Sequence, residues 1–144
     1  MVNIDMTKPT RELPAPGTYL CIVKKATQKK SNAGDQMFNV ELYDSATDIK
    51  LCHDNISLEG RGWFHGRNKL LALGFSESFS GEIFSSDIEG RMVYASITHR
   101  AYDGKVTACV DGNDGSSGYW PSGAPPHDLA ERQKAIIAND ETAF

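Results

Sequence analysis

No stretch of this 144-residue chain approaches the roughly 20 consecutive apolar side chains that a membrane-spanning helix needs, and Met1 to Thr10 hold no apolar signal-peptide core. These absences predict a soluble protein that stays in the cytoplasm, with no membrane partner. Cysteine is scarce too. Cys21, Cys52 and Cys109 are odd in number, widely spaced and without a C-x-x-C pair, which argues against a disulfide framework and agrees with a reducing compartment. Cys21, Cys52, His53, His65, His99 and Cys109 show no metal-ligand spacing, and strand cysteines more often pack as small core residues. No metal and no other cofactor are therefore expected. There is no Walker loop, no G-x-S-x-G elbow and no H-E-x-x-H. A Mg²⁺-dependent nuclease would have to draw on Asp35, Glu41, Asp44 and Asp54, which no spacing pairs. The expectation is a protein with no catalytic residues.

Positive charge is not in excess either, since the formal net charge is −4. Its distribution is more informative than its sum. From Gly17 to Val110 eleven basic residues balance eleven acids, and the whole negative excess lies beyond Val110. A neutral body with an acidic tail is the result.

The chain itself reads as one domain with flanking segments. Residues 1–16 hold Pro9, Pro14 and Pro16 and form an extended leader that ends in the turn signal Pro16-Gly17. Residues 17–111 carry five strand patterns and one helix. Thr18 to Thr27 is rich in Tyr, Ile and Val, and Lys29 to Gly34 is a polar hairpin loop. In Asp35 to Asp44, Phe38, Val40 and Leu42 alternate with polar neighbours and should be core. Ile49 to Ser57 is a third strand, with Ile49, Leu51 and His53 on one face. Asn68 to Leu73 holds helix formers closed by Gly74, and Phe64 nearby is expected to plug the core. Gly90 to Arg100 and Lys105 to Val110 are the fourth and fifth strands, joined by Asp103-Gly104. The order of three strands, helix and two strands is that of a five-stranded OB-fold barrel, an all-β class with small helices. A split barrel or small sandwich has the same pattern. Residues 112–144 read as a Gly/Ser/Pro linker around Tyr119-Trp120, a short helix capped at Asp128, and the acidic tail.

An OB barrel grips nucleic acid on strands 2 and 3 between its 1-2 and 4-5 loops, and both loops are basic here. Lys24, Lys25, Lys29 and Lys30 lie around the first, Arg100, Tyr102 and Lys105 around the second, and Lys50 is in strand 3. Tyr43, Tyr94 and Tyr102 fall at outward or loop positions. Cations that follow phosphates and flat rings that stack on bases are the two needs of a single-strand binder. The bland alternative is that the lysines solvate a hairpin and the tyrosines cover barrel ends.

Pro16-Gly17-Thr18-Tyr19, the Lys-Ser-Asn-Ala-Gly loop from Lys30 to Gly34, Met37 to Leu42 and the helix from Asn68 to Gly74 resemble a family of phage single-stranded-DNA-binding proteins. The resemblance spans roughly Pro14 to Val110 and its motifs are loose patterns. It implies an OB-fold, a place in replication or recombination, and little base preference. Asn139 to Phe144 likewise resembles the acidic tip of bacterial and phage single-stranded-DNA-binding proteins, which implies that Asp140, Glu141 and Phe144 dock replication or recombination partners. A terminal Phe offers a ring and a carboxylate to an Arg- or Lys-rimmed pocket. A homo-oligomer is compatible with all of this. The competing expectations are a protein-interaction module, such as a phage adaptor or inhibitor, acting through its acidic tail, and a cold-shock-like RNA binder.

Overall fold

Alternation of β-branched and aromatic residues with polar ones produces six strands in the computed structural model, which describes residues 13–129. They are β1 (Gly17–Lys30), β2 (Gln36–Asp44), β3 (Lys50–Ser57), β4 (Met92–Tyr102), β5 (Lys105–Val110) and β6 (Tyr119–Pro121). Two helices, α1 (Trp63–Ala72) and α2 (Ser85–Ile88), interrupt the series between β3 and β4. All pairings are antiparallel, in the order β3-β2-β1-β4-β5, with β6 also on β4. The long β1 serves two neighbours: Gly17 to Ile22 pair with β4, and Cys21 to Lys30 pair with β2. The ends of the path, β3 and β5, lie against each other without a ladder of backbone pairs.

The core follows from the period of two. Phe38, Val40 and Leu42 on β2 are fully buried, as are Cys21 and Val23 on β1 and Val93 and Ala95 on β4. Leu70 and Leu73 of the α1 region and Ile88 of α2 join the same cluster. Each large apolar side chain so buried stabilises the fold by roughly 1.5–3 kcal/mol.

Several expectations are corrected. The sheet has six strands rather than five, because Tyr119–Pro121, within the stretch read as linker, pairs with Val93 to Ala95 of β4. On β3 Cys52 and Ile56 stand opposite Leu42 and Phe38 in the core, and Ile49, Leu51 and His53 do not share one environment. An irregularity in the β2–β3 ladder at Leu42/Tyr43 shifts the register, so Leu51 is buried while Ile49 is 61% exposed. Phe64 is 71% exposed and plugs nothing. Helix α1 starts five residues before Asn68 and runs through Gly66, where a Cβ would overlap the Ser57 carbonyl. The Asp103-Gly104 turn is as expected, with positive φ at both residues. The leader up to residue 12, most of the expected C-terminal helix and the acidic tail lie outside the described residues.

Candidate nucleic-acid interface

Since Phe38, Val40 and Leu42 point inward, Asn39, Glu41 and Tyr43 point outward. The registers extend that outer face across the sheet. Glu41 stands opposite Lys25 on β1 and His53 on β3, and Tyr43 opposite Ile22 and Lys50. Across β1, Ile22 faces Met92, Leu20 faces Tyr94, and Tyr94 in turn faces Trp120 of β6. Tyr43, Tyr94 and Trp120 therefore share one surface, each half-buried, with Leu20 and Ile22 between them. Strand spacing puts Tyr43 and Tyr94 roughly 12 Å apart.

The charges on this face are partly tied down. Between Val23 and Lys25 the ladder slips by one residue, so Lys24 is a bulge that sends its side chain sideways. Its Nζ lies 2.8 Å from Asp48 Oδ1 and 5.8 Å from the centroid of the Tyr43 ring. With both side chains well exposed, such an ion pair contributes at most about 1 kcal/mol and is readily exchanged for another anion. Lys50 Nζ is 2.8 Å from Glu41 Oε1. That hydrogen bond holds the Glu41 carboxyl below its ordinary range, helped by the charges of Lys50, His53 and Lys25. Asn39 donates to Asn55 Oδ1 at 3.0 Å, and its Oδ1 lies 3.1 Å from His53 Nδ1. The part of the face nearer the β1–β2 hairpin is thus polar and hydrogen-bonded, and the rings lie to one side of it, around Leu20 and Ile22.

The expected site residues fall into separate groups. Lys24, Lys25, Tyr43 and Lys50 gather on β1, β2 and β3. Lys24 and Lys25 belong to the body of β1 and not to the 1-2 loop, because β1 runs on to Lys30. Lys29 and Lys30 stand exposed at the hairpin end, opposite Met37 and Gln36. Tyr94 joins the first group through β1, whereas Arg100 and Lys105 are exposed on the β4–β5 hairpin and Tyr102 pairs with Lys105. Gly17 lies opposite Ile97, so the β4–β5 tip lies beyond the start of β1 and the β1–β2 tip at its end, with the aromatic face between. Asp140, Glu141 and Phe144 lie outside the described residues.

Trp120 was not among the expected site residues, and what holds it there is a buried brace. Tyr119, fully buried, donates its hydroxyl to Asp54 Oδ2 at 2.7 Å. Lys69 Nζ meets the same oxygen at 2.8 Å, donates to the Asn55 carbonyl at 2.9 Å and sits 5.5 Å from the Tyr119 ring centroid. Burial first, and then Asp54, push the Tyr119 hydroxyl well above its ordinary pKa, so it remains a donor. Ser117, with positive φ, is fixed by His65 Nδ1 at 2.6 Å and by Asn68 at 3.3 Å. Helix α1 thereby ties β6 to β3. The pairing of Val40 with Asp54 across the β2–β3 ladder places Asp54 inside, whereas Glu41 is outside, so these two of the acids considered for a nuclease lie on different faces. Among the described residues no three of His, Cys, Asp and Glu gather where they could hold a metal ion, and no helix is long and apolar enough to cross a membrane. No protein-family model matches the chain, and no curated protein matches it in sequence.

Proposed function

We propose that the chain is a non-enzymatic, sequence-independent single-stranded-DNA-binding protein of phage replication or recombination, acting in the host cytoplasm. One observation carries the reading: Tyr43, Tyr94 and Trp120 share the outer face of β1, β2, β4 and β6 with Lys25 and Lys50, and Lys29 stands exposed at its end, with Lys30 exposed at the hairpin tip. Rings at this spacing offer bases a stacking surface worth roughly 1–3 kcal/mol per base, and the lysines follow the phosphates. The strand order, with β3 against β5, supports an OB-type Greek-key barrel closed by those two strands. Glu41 lies between Lys25 and Lys50 and is paired with Lys50, so a phosphate reaches Lys50 by displacing that carboxylate. In this reading Arg100, Tyr102 and Lys105 form the second grip, and Asp140, Glu141 and Phe144 dock replication or recombination proteins.

The test is a titration of fluorescent oligothymidylate, with duplex DNA and an RNA of equal sequence as competitors, at two salt concentrations. Single-strand preference and affinity that falls with salt are expected. Tyr94→Ala or Trp120→Ala should weaken binding about 5- to 150-fold, the equivalent of one stack. Equal affinity for duplex, or indifference to salt, overturns the proposal.

A further inference from the structure

The proposed DNA face leaves a second aromatic surface without a role. Trp63, Phe79 and Phe84 are 41%, 50% and 58% exposed. Together with Ile83 they wall a groove of about 530 Å³ whose opposite side is the β1–β2 hairpin at Gln28 and Gln36. Gln28 pairs with Phe38, a core residue, so the groove lies on the core side of the sheet where the hairpin outruns the barrel. It is not part of the face that carries Tyr43 and Tyr94. A clustered set of large exposed rings is uncommon on a monomeric soluble protein and marks a contact surface.

The walls are held in place. Phe79 packs edge-to-face on Phe75 at 5.6 Å between centroids, Arg91 covers the other ring at 4.2 Å, and the same guanidinium donates to the Leu73 carbonyl at 3.1 Å. A smaller hollow of about 80 Å³ shares Trp63, Leu70 and Phe79 and extends the apolar floor toward Leu71. The charge of the groove is one-sided. Glu59 and Glu82 line it, and no Lys or Arg does. Glu59 is fixed at the rim by accepting the Gln36 N–H at 2.7 Å. The adjoining hollow adds Glu77 and Arg67, which offset each other.

We propose that this groove docks a segment of another protein that carries an apolar anchor flanked by Lys or Arg. The volume suits an anchor of one or two large side chains, since ligand clefts commonly span about 300–1,000 Å³. The acidic rim repels phosphates and attracts cationic flanks, which separates this partner from nucleic acid. The proposal is independent of the DNA-binding reading, because it uses the other side of the sheet.

The experiment follows backbone amide and indole NMR signals of the full chain with two capped peptides. They are identical except that a central Trp-Leu pair is flanked by lysines in one and by glutamates in the other. The lysine peptide is expected to shift Trp63, Gly81 and Phe84 with Kd tighter than about 1 mM. Phe79→Ala with Phe84→Ala should weaken it about tenfold or more, while unchanged signals elsewhere show that the variant is folded. Glu59→Lys with Glu82→Lys should transfer the preference to the glutamate peptide. Equal affinity for both peptides, no shift at these residues, or binding untouched by either double variant overturns the proposal. If oligothymidylate moves the same signals, the groove belongs to nucleic acid. Should these signals instead depend on protein concentration, alongside a dimer in sedimentation, it belongs to a second copy; either result also overturns the proposal.

Discussion

Replacing Lys69 by Met probes the brace beneath the proposed face. Methionine retains most of the stem's packing, so the change removes chiefly the cation. With side chains only 10% and 15% exposed, Lys69 and Asp54 are largely out of water, and Asp54 would be left with the Tyr119 hydroxyl alone among the polar partners described. Breaking a buried pair by deleting one partner costs about 3–5 kcal/mol, and residual water access puts this case near about 3 kcal/mol. At roughly 4 °C per kcal/mol for a domain of this size, Tm falls by about 12 °C. Circular dichroism melts, with Trp fluorescence as a second probe, measure it. Adding Asp54→Asn should recover part of the loss, since no unpaired charge then remains and the amide oxygen still accepts from Tyr119. A drop under about 3 °C, or losses that simply add in the double variant, would refute the idea that the cation stabilises this site. Because Tyr119 and Trp120 are neighbours on β6, Lys69→Met should also weaken single-strand binding.

Three other outcomes are expected. Lys29→Ala with Lys30→Ala should reduce the magnitude of the log–log salt slope of single-strand binding by about 1.4, at about 0.7 for each lost phosphate contact; an unchanged slope takes the hairpin end out of the site. Burial, and then the Asp54 charge, push the Cys52 thiol up to about 12, and burial likewise raises Cys21. At mildly alkaline pH both should react with a disulfide reagent only after unfolding, and rapid native labelling of two thiols would contradict this. The Glu41 carboxyl is held below its ordinary range, so in the window just beneath that range the unfolded chain takes up a proton that the folded chain does not. The stability that Glu41 contributes is present above the window and lost as pH falls through it. Urea titrations across mild acid should show a shallower loss for Glu41→Gln, and parallel curves would count against the Lys50 contact.

The strands were readable because a period of two survives in Met37 to Leu42 and in Val93 to Ile97 whatever the surroundings. The face of β3 was only partly readable, since a register irregularity beside Leu42 separates exposed Ile49 from buried Leu51 and nothing local marks it. β6 was hidden by composition: Gly115, Ser116, Ser117 and Gly118 read as linker, yet positive φ at Gly115, Ser117 and Gly118 makes the turn that brings Tyr119 inward. A polar stretch with two adjacent aromatic residues was the available signal. The helix formers from Asn68 onward marked only the second half of α1, and its first half contains Gly66, which lets the helix approach the β3 backbone. Of the site, Tyr43 and Tyr94 could be placed outward from alternation alone. Their proximity across β1 to each other and to Trp120 depends on long-range registers, which no local pattern encodes.

Mapping oligothymidylate onto the assigned amide signals of the full chain shows where a single strand lies on the sheet. The predicted result is shifts at Lys25, Asn39, Tyr43, His53, Tyr94 and Trp120, with Trp63, Phe79 and Phe84 unmoved. Shifts confined to the aromatic groove, or no shifts at concentrations where the oligonucleotide is bound, would contradict it.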